Sequence, residues 1–322
     1  MFDTTPRSDE GQLHLVAAHE DHPPRGAARV PRPSPTPGMS VDPANLVLQG
    51  GLRLADLLGR YHRHQVRHLE RLAGLFERGR RVILVGNHAL DIIDPMLLLA
   101  TVYRRTGRLP RVIGHEKGWF KLPVIRDFAQ RFQVIPSRRF EETVEAVRRD
   151  GFLMLYPGGV QESGMRSYRD EPYVLRWQRR TGFLRVALEA DADVVFVAAV
   201  GCDEAYYQSR LALPRALLRA VNGGDDRRYK GMRLRFGATG VHLLPGVFAF
   251  PVRLTHVLSQ PLDLGDRELA RSDPEAFDEL HARVWRECQG FLNGAVARRQ
   301  RDSDWLDGGI RSAQRVLHHL GI

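Results

Sequence analysis

The sequence predicts an α/β fold, with a central, mostly parallel or mixed sheet flanked by helices. Wholly apolar runs, Val82–Val85 and Phe152–Tyr156 among them, alternate with longer segments whose apolar residues recur every three or four positions. The chain has 322 residues, 43% of them hydrophobic and 27% charged, enough to bury a proper core. No internal repeat interrupts the alternation.

Residues 1–41 carry the run PPRGAARVPRPSPTPG and bury too little apolar surface to offset chain entropy, so a disordered Pro/Arg-rich tail is expected there. An amphipathic helical segment is expected over 42–79. Leu54, Leu57, Leu58, Tyr61, Leu69, Leu72 and Phe76 share one helix face, with Arg53, Arg60, Arg63, Arg67 and Arg71 opposite. Such a face suits packing on the core or contact with a membrane surface. Strands are expected at Val82–Val85, Val112–Ile113, Gln133–Ile135, Phe152–Tyr156, Val194–Val200, Met232–Phe236 and Arg253–Val257. Helices are expected after His88 and at Val124–Arg131, Phe140–Arg149, Phe183–Ala190 and Pro274–Ala297. The main domain is thus read as 42–300, with a C-terminal helical appendage over 301–322.

A formal charge of +10 raises the question of nucleic acid or anionic membrane. Lysine occurs only at Lys117, Lys121 and Lys230, and this arginine skew has a compositional source in GC-rich coding, so no nucleic-acid partner is expected. Cys202 and Cys288, far apart, form no disulfide framework and fit a reducing, cytoplasmic setting. No signal peptide is visible, and no stretch reaches the roughly 18 apolar residues of a spanning helix.

Two segments carry chemistry. In Gly86-Asn87-His88-Ala89-Leu90-Asp91-Ile92-Ile93-Asp94-Pro95, a buried strand ends at Val85 and His88 falls in the turn before a helix. Asp94 and Pro95 suit that helix's start. An imidazole at a strand end, held by a carboxylate, is a general-base pair; a cap and an ordinary turn histidine would look the same. In the second segment the apolar strand stops at Tyr156-Pro157-Gly158-Gly159, where paired glycines let backbone approach a ligand and offer N–H groups to negative charge.

Taken together, these segments resemble the glycerolipid (lysophospholipid) acyltransferase superfamily, nearest its monoacylglycerol/diacylglycerol acyltransferase-like branch. Asn87-His88 with Asp94 matches that family's Asn-His-spacer-Asp block, and Tyr156-Pro157-Gly158-Gly159 its Phe-Pro-Glu-Gly-like block. Phe132–Arg138, Arg180–Phe183, Val194–Gly201 and Pro251–Leu254 follow in the family's order. Five residues separate His88 from Asp94, one more than the common spacer, and Asp94 is preferred to Asp91. The family's acidic and basic residues around the second block are replaced by Gly158, Val160 and Gln161, with Glu162 just after. An arginine–phosphate contact is worth about 1.5–3 kcal/mol, so its loss points to a neutral acceptor unless Arg138, Arg139 or Arg166 replaces it.

The resemblance implies acyl transfer from acyl-CoA or acyl carrier protein to a lipid hydroxyl, with His88 and Asp94 catalytic. Asn87, Arg138, Tyr156, Pro157, Gly158, Gly159 and Glu162 are the expected substrate-binding residues, with Gly158 and Gly159 N–H groups as oxyanion donors. No cofactor beyond the co-substrate and no metal is expected. The expected setting is the inner face of the membrane, as a peripheral protein. A lipid-binding protein without strong turnover, and a lysophospholipid acyltransferase with a phosphate-bearing acceptor, are the other readings. Arg138, Arg139, Arg176, Arg179 and Arg180 are candidates for CoA phosphates or anionic headgroups. His62, His64 and His68 have a metal-like spacing, but only His64 and His68 would share a helix face and no acidic partner adjoins them, so no metal site is expected there. Trp119, Phe120 and Trp177 are candidates for an acyl pocket or for core. The loop Asn222–Arg228 lacks the Lys-Ser/Thr of a phosphate cradle.

Overall fold

The computed structural model describes residues 45–88, 93–114, 134–159, 162, 171–177, 180–212, 216, 233–242 and 249–320. The expected tail, the helix Val124–Arg131, Trp119, Phe120, Arg166, Arg179 and the loop 222–228 lie outside them. A seven-stranded sheet forms the centre, made of β1 (Gln65–Arg67), β2 (Arg81–Gly86), β3 (Arg111–Gly114), β4 (Ile135–Pro136), β5 (Phe152–Leu155), β6 (Ala192–Val200) and β10 (Thr255–Pro261). Its order is β1-β10-β6-β2-β5-β3-β4. Strands β6, β2, β5, β3 and β4 are mutually parallel, while β10 runs antiparallel to β6 and β1 parallel to β10. The sheet is therefore mixed but mostly parallel, as the apolar runs predict. A separate antiparallel sheet joins β7 (Tyr207–Ala212), β8 (Arg233–Gly237) and β9 (Gly240–His242).

Both faces of the main sheet are covered, which is why β2 and β6 read as continuous apolar runs. On one face Leu72, Leu75 and Phe76 of α2 (Leu69–Glu77) and Leu98 and Val102 of α3 (Ile93–Thr106) pack on Leu84, Met154, Val197 and Leu258. The larger cluster holds Ile83, Val85, Leu153 and Phe196 with side chains of α4 (Phe140–Asp150), α5 (Gly182–Glu189) and α7 (Pro274–Arg301). Asp273 caps α7 by accepting from the Glu275 N–H, with Pro274 in the first turn. A short helix, α6 (Arg267–Ser272), precedes it.

The sequence pattern fails at one place in particular. The single amphipathic segment expected over 42–79 is two helices, α1 (Leu46–Tyr61) and α2, separated by β1. The chain breaks at Arg63 (φ 46°) and His68 (φ 64°), both in the left-handed region, and Gln65–Arg67 between them joins β10 in parallel. Sheet pairing wins here over a helical periodicity that continues through the break. His64 and His68 therefore share no helix face. The last strand also begins later than expected, at Thr255, because the preceding backbone is engaged elsewhere. Arg253 N–H donates to Asp307 and Leu254 N–H to the His62 carbonyl.

The segment 301–322 docks α8 (Trp305–His319) through a buried ion cluster. Asp307, 0% exposed, accepts from Arg63 Nη2 at 2.8 Å and from Arg253 N–H at 2.9 Å. Arg299 Nη2 stands 3.6 Å from its other oxygen. Asp304 binds Arg63 at 2.6 Å and Arg253 at 2.8 Å. The left-handed Arg63 turn and the C-terminal helix thus stabilise each other. Asp307→Ala strands these donors, and urea denaturation is expected to show a loss of about 3–5 kcal/mol. A loss below about 1 kcal/mol would mean that the cluster is solvated and immaterial.

Candidate active site

All parallel strands end at one edge of the sheet, and the register sets Val85 beside Leu155 and Gly86 beside Val197. The turns after β2, β5 and β6 therefore meet. Asn87 secures the first of them. Its side chain accepts from Ala199 N–H at 2.8 Å and donates to the Ala199 carbonyl at 2.9 Å, as another residue of strand would. His88 is the first residue carried clear of the sheet.

Glu162 holds that turn. Only 3% exposed, its carboxylate accepts from His88 N–H at 2.8 Å through one oxygen and from Arg176 N–H at 2.6 Å through the other. The carboxylate lies directly over Gly158, where a Cβ would fall 1.8 Å from Glu162 Cδ. Glycine is required at 158 because the acid occupies that space. Arg180 braces the other side of the turn, donating to the Pro157 carbonyl at 2.9 Å and to the Gly158 carbonyl. The arginine expected to meet CoA phosphates or headgroups is instead engaged with backbone.

The expected pair of oxyanion donors is corrected to one candidate. Gly159 N–H is consumed within the turn by the Tyr156 carbonyl at 3.1 Å. Gly158 N–H has no acceptor among the described residues. Tyr156 packs its ring 4.8 Å from that of His88, and Gly86 leaves room for it: a Cβ at 86 would lie 2.8 Å from Tyr156 Cε1. The Tyr156 hydroxyl is buried with no hydrogen-bond partner.

Asp94, 0% exposed, sits inside the first turn of α3 rather than capping it. Burial, then the nearby Asp203 carboxylate, pushes its carboxyl well above the usual range. Neither oxygen has a side-chain hydrogen-bond partner among the described residues. Asp94 and His88 both neighbour Tyr156, the former through its electrostatic effect on the phenol. They make no bond to one another. The imidazole within ion-pair range of Asp94 is that of His256, whose Nε2 lies 3.8 Å from Oδ2.

His88 lines a small recess of about 10 Å³, room for about one water, with Asn87, Glu162, Tyr173, Val174, Arg176 and Asp203. Asp203 accepts from Tyr173 N–H at 2.9 Å, and Gln289 of α7 binds the Tyr173 carbonyl and Leu175 N–H. Tyr173 and Asp203 have no motif around them and were invisible in the sequence; the apolar run ending at Val200 is the one signal for Asp203. Arg138 is exposed, with φ 84°, just beyond β4. It shares the edge but stands three strands from β2, about 14 Å at normal strand spacing. Trp177, 0% exposed, is core. No cluster among the described residues is suited to a metal ion.

A family profile described as Acyltransferase matches residues 63–200. Bovine (Bos taurus) and human (Homo sapiens) proteins named "DGAT1/2-independent enzyme synthesizing storage lipids" are each 26% identical over 231 residues. The alignments cover 70% of this chain and 61% and 63% of theirs. "Phytyl ester synthase 2, chloroplastic" of Arabidopsis thaliana is 24% identical over 163 residues, 48% of this chain and 23% of its own. The chain thus spans about three fifths of the first relatives and under a quarter of the last.

Two outcomes follow from the geometry. Gly158→Ala is expected to lower the melting temperature, and the Gly158→Ala/Glu162→Ala double variant to lose less than the sum of the two single losses, because the added methyl then meets vacated space; a strictly additive double variant in thermal melts would disprove the notch. For Asp94, the folded-state pKa lies above the unfolded value. Stability is therefore full below about pH 4 and drains away as pH rises toward the folded value. Asp94→Asn is expected to melt higher than the parent by a margin that widens from pH 4 toward neutrality. A margin that is constant or shrinks would show that the carboxyl is not raised.

Proposed function

We propose, on the acyltransferase profile that matches residues 63–200, that this chain belongs to the acyltransferase superfamily and moves a fatty acyl group from acyl-CoA or acyl carrier protein to a neutral lipid hydroxyl. The carrying observation is His88 just past the end of β2 at the sheet's edge, its main chain clamped by Glu162 and its ring against Tyr156. In this scheme the acceptor oxygen attacks the thioester carbon while its proton passes to the neutral imidazole. The tetrahedral intermediate then expels the thiolate, which recovers that proton. One C–O bond forms, one C–S bond breaks, and no cofactor is drawn upon. Asp94 stabilises the imidazolium by its charge, and Gly158 N–H is the candidate oxyanion donor.

A neutral acceptor is supported from two directions. Val160 and Gln161 stand where a phosphate-binding arginine is expected, and the relatives are named for storage lipids and phytyl esters. Membrane contact is supported by α1, which exposes Val47, Leu54, Leu57 and Tyr61 beside Arg53 and Arg60. Among the described residues no helix is long and apolar enough to cross a membrane. A peripheral place on the inner leaflet, with cytoplasmic access, fits this reading.

A second reading, a lipid-binding protein without turnover, is favoured by the missing His88–Asp94 bond. Purified protein offered acyl-CoA with mixed acceptors separates the two. Ester formation is expected with monoacylglycerol, diacylglycerol or long-chain alcohol, and His88→Ala is expected to cut it by about 10²–10⁴-fold. Undiminished turnover in folded His88→Ala removes the base assignment. Faster acylation of lysophosphatidic acid than of any neutral alcohol overturns the acceptor class.

A further inference from the structure

Behind Asp94 stands a pair of histidines that the scheme above leaves unused. His256, on β10, is 1% exposed, and its Nε2 lies 3.8 Å from Asp94 Oδ2. Its Nδ1 is 2.8 Å from Nε2 of His64, which sits in the turn between α1 and β1. Burial pushes both imidazoles down to about 3, with mutual repulsion adding to the shift at His64, so both are neutral at ordinary pH. Two neutral rings sharing one short contact have one proton between them there, and its position fixes the outer tautomer.

The ionised carboxylate decides which. With the proton on His256 Nδ1, the Nε2 lone pair would face the carboxylate lone pairs, which is repulsive. With His64 Nε2–H donating into His256 Nδ1, His256 carries Nε2–H and presents it to Asp94. Among the described residues, the other titratable groups that act on Asp94 or are acted on by it offer no cation: Asp203 and Cys202 from the turn after β6, and Tyr156 from the turn after β5. His62 adjoins the pair at its outer end and donates nothing to Asp94.

We propose that His256, its tautomer set by His64, is a positioning residue that holds the charged form of Asp94 for use by His88. The proposal rests on the acyl-transfer reading. It explains why an acid with no side-chain hydrogen-bond partner of its own remains in the core, and why two polar rings are buried beside it. The 3.8 Å gap closes to a hydrogen bond when Asp94 ionises. A hydrogen bond to a charged group shifts an ionisation equilibrium by about ten- to a hundredfold, or about one to two pH units.

The test is the pH profile of kcat/KM for the full chain with His256→Phe, His256→Gln and His64→Phe. His256→Phe is expected to move the limb reporting Asp94 by about one unit toward higher pH, with kcat down about tenfold and KM within about twofold. His256→Gln, whose amide N–H can replace Nε2–H, is expected to restore most of the profile; His64→Phe gives a smaller shift of the same sign. A His256→Phe profile coincident with the parent, or failure of Gln to rescue, overturns the proposal. To separate this from a folding defect, a thermal-melt cycle of Asp94→Asn and His256→Leu, which has no donor to offer, is run without substrate. Coupling between the two sites is expected to be negligible near pH 4 and to grow toward about pH 8; coupling independent of pH overturns the proposal. Loss of activity in His88→Ala alongside an unshifted His256 series would refute the positioning role alone, whereas retained activity in His88→Ala refutes the acyl-transfer reading.

Discussion

The mouth of this sheet depends on one buried carboxylate. Glu162 takes its two hydrogen bonds from main-chain N–H groups of His88, 74 residues before it, and Arg176, 14 residues after it. Neither His88 nor Arg176 lies in a helix or strand, so the acid does what a strand pairing does elsewhere. Its seat exists because residue 158 has no side chain. Removing the acid would leave two amide donors without acceptors, each a cost of about 1–3 kcal/mol, beside the imidazole proposed as base. Arg180 closes the arrangement by gripping the carbonyls on the far side of the same turn.

Charge is handled differently one layer down. Asp94 is sealed from solvent near a second acid, Asp203, and faces neutral imidazole instead of arginine. Arginines are abundant in this chain, yet two of the buried ones serve other acids: Arg111 pairs with Asp150, and Arg299 with Glu204 and Asp307. A guanidinium beside Asp94 would ionise it permanently and spend its charge locally. A neutral ring leaves the acid responsive to whatever charge develops at His88. Such an acid destabilises the fold at neutral pH, in the manner of many functional sites.

Much of this was legible in the sequence. The apolar runs of β2, β5 and β6 declared themselves because both sheet faces are covered. Asn87-His88 and Pro157-Gly158-Gly159 were found through spacing and resemblance, and the fold brings them to one corner. Local pattern could not disclose the residues that reach the site from afar. Tyr173, Asp203 and His256 lie beside ordinary neighbours and acquire meaning only when β6, β10 and the chain before α5 converge. Glu162 was singled out for its acidity, but its function as a clamp depends on a contact with residue 88. The break between α1 and α2 was hidden for the opposite reason: a persistent three-and-four spacing masked a three-residue strand.

That small strand has a further effect. The main sheet's outer members are β1 and β4, three and two residues long. Each presents too few open amides and carbonyls to template a foreign strand, while the long members, β6 and β10, are enclosed. The central sheet therefore offers little purchase for edge-to-edge stacking, so its apolar interior can be assembled at high concentration with little risk of polymerising.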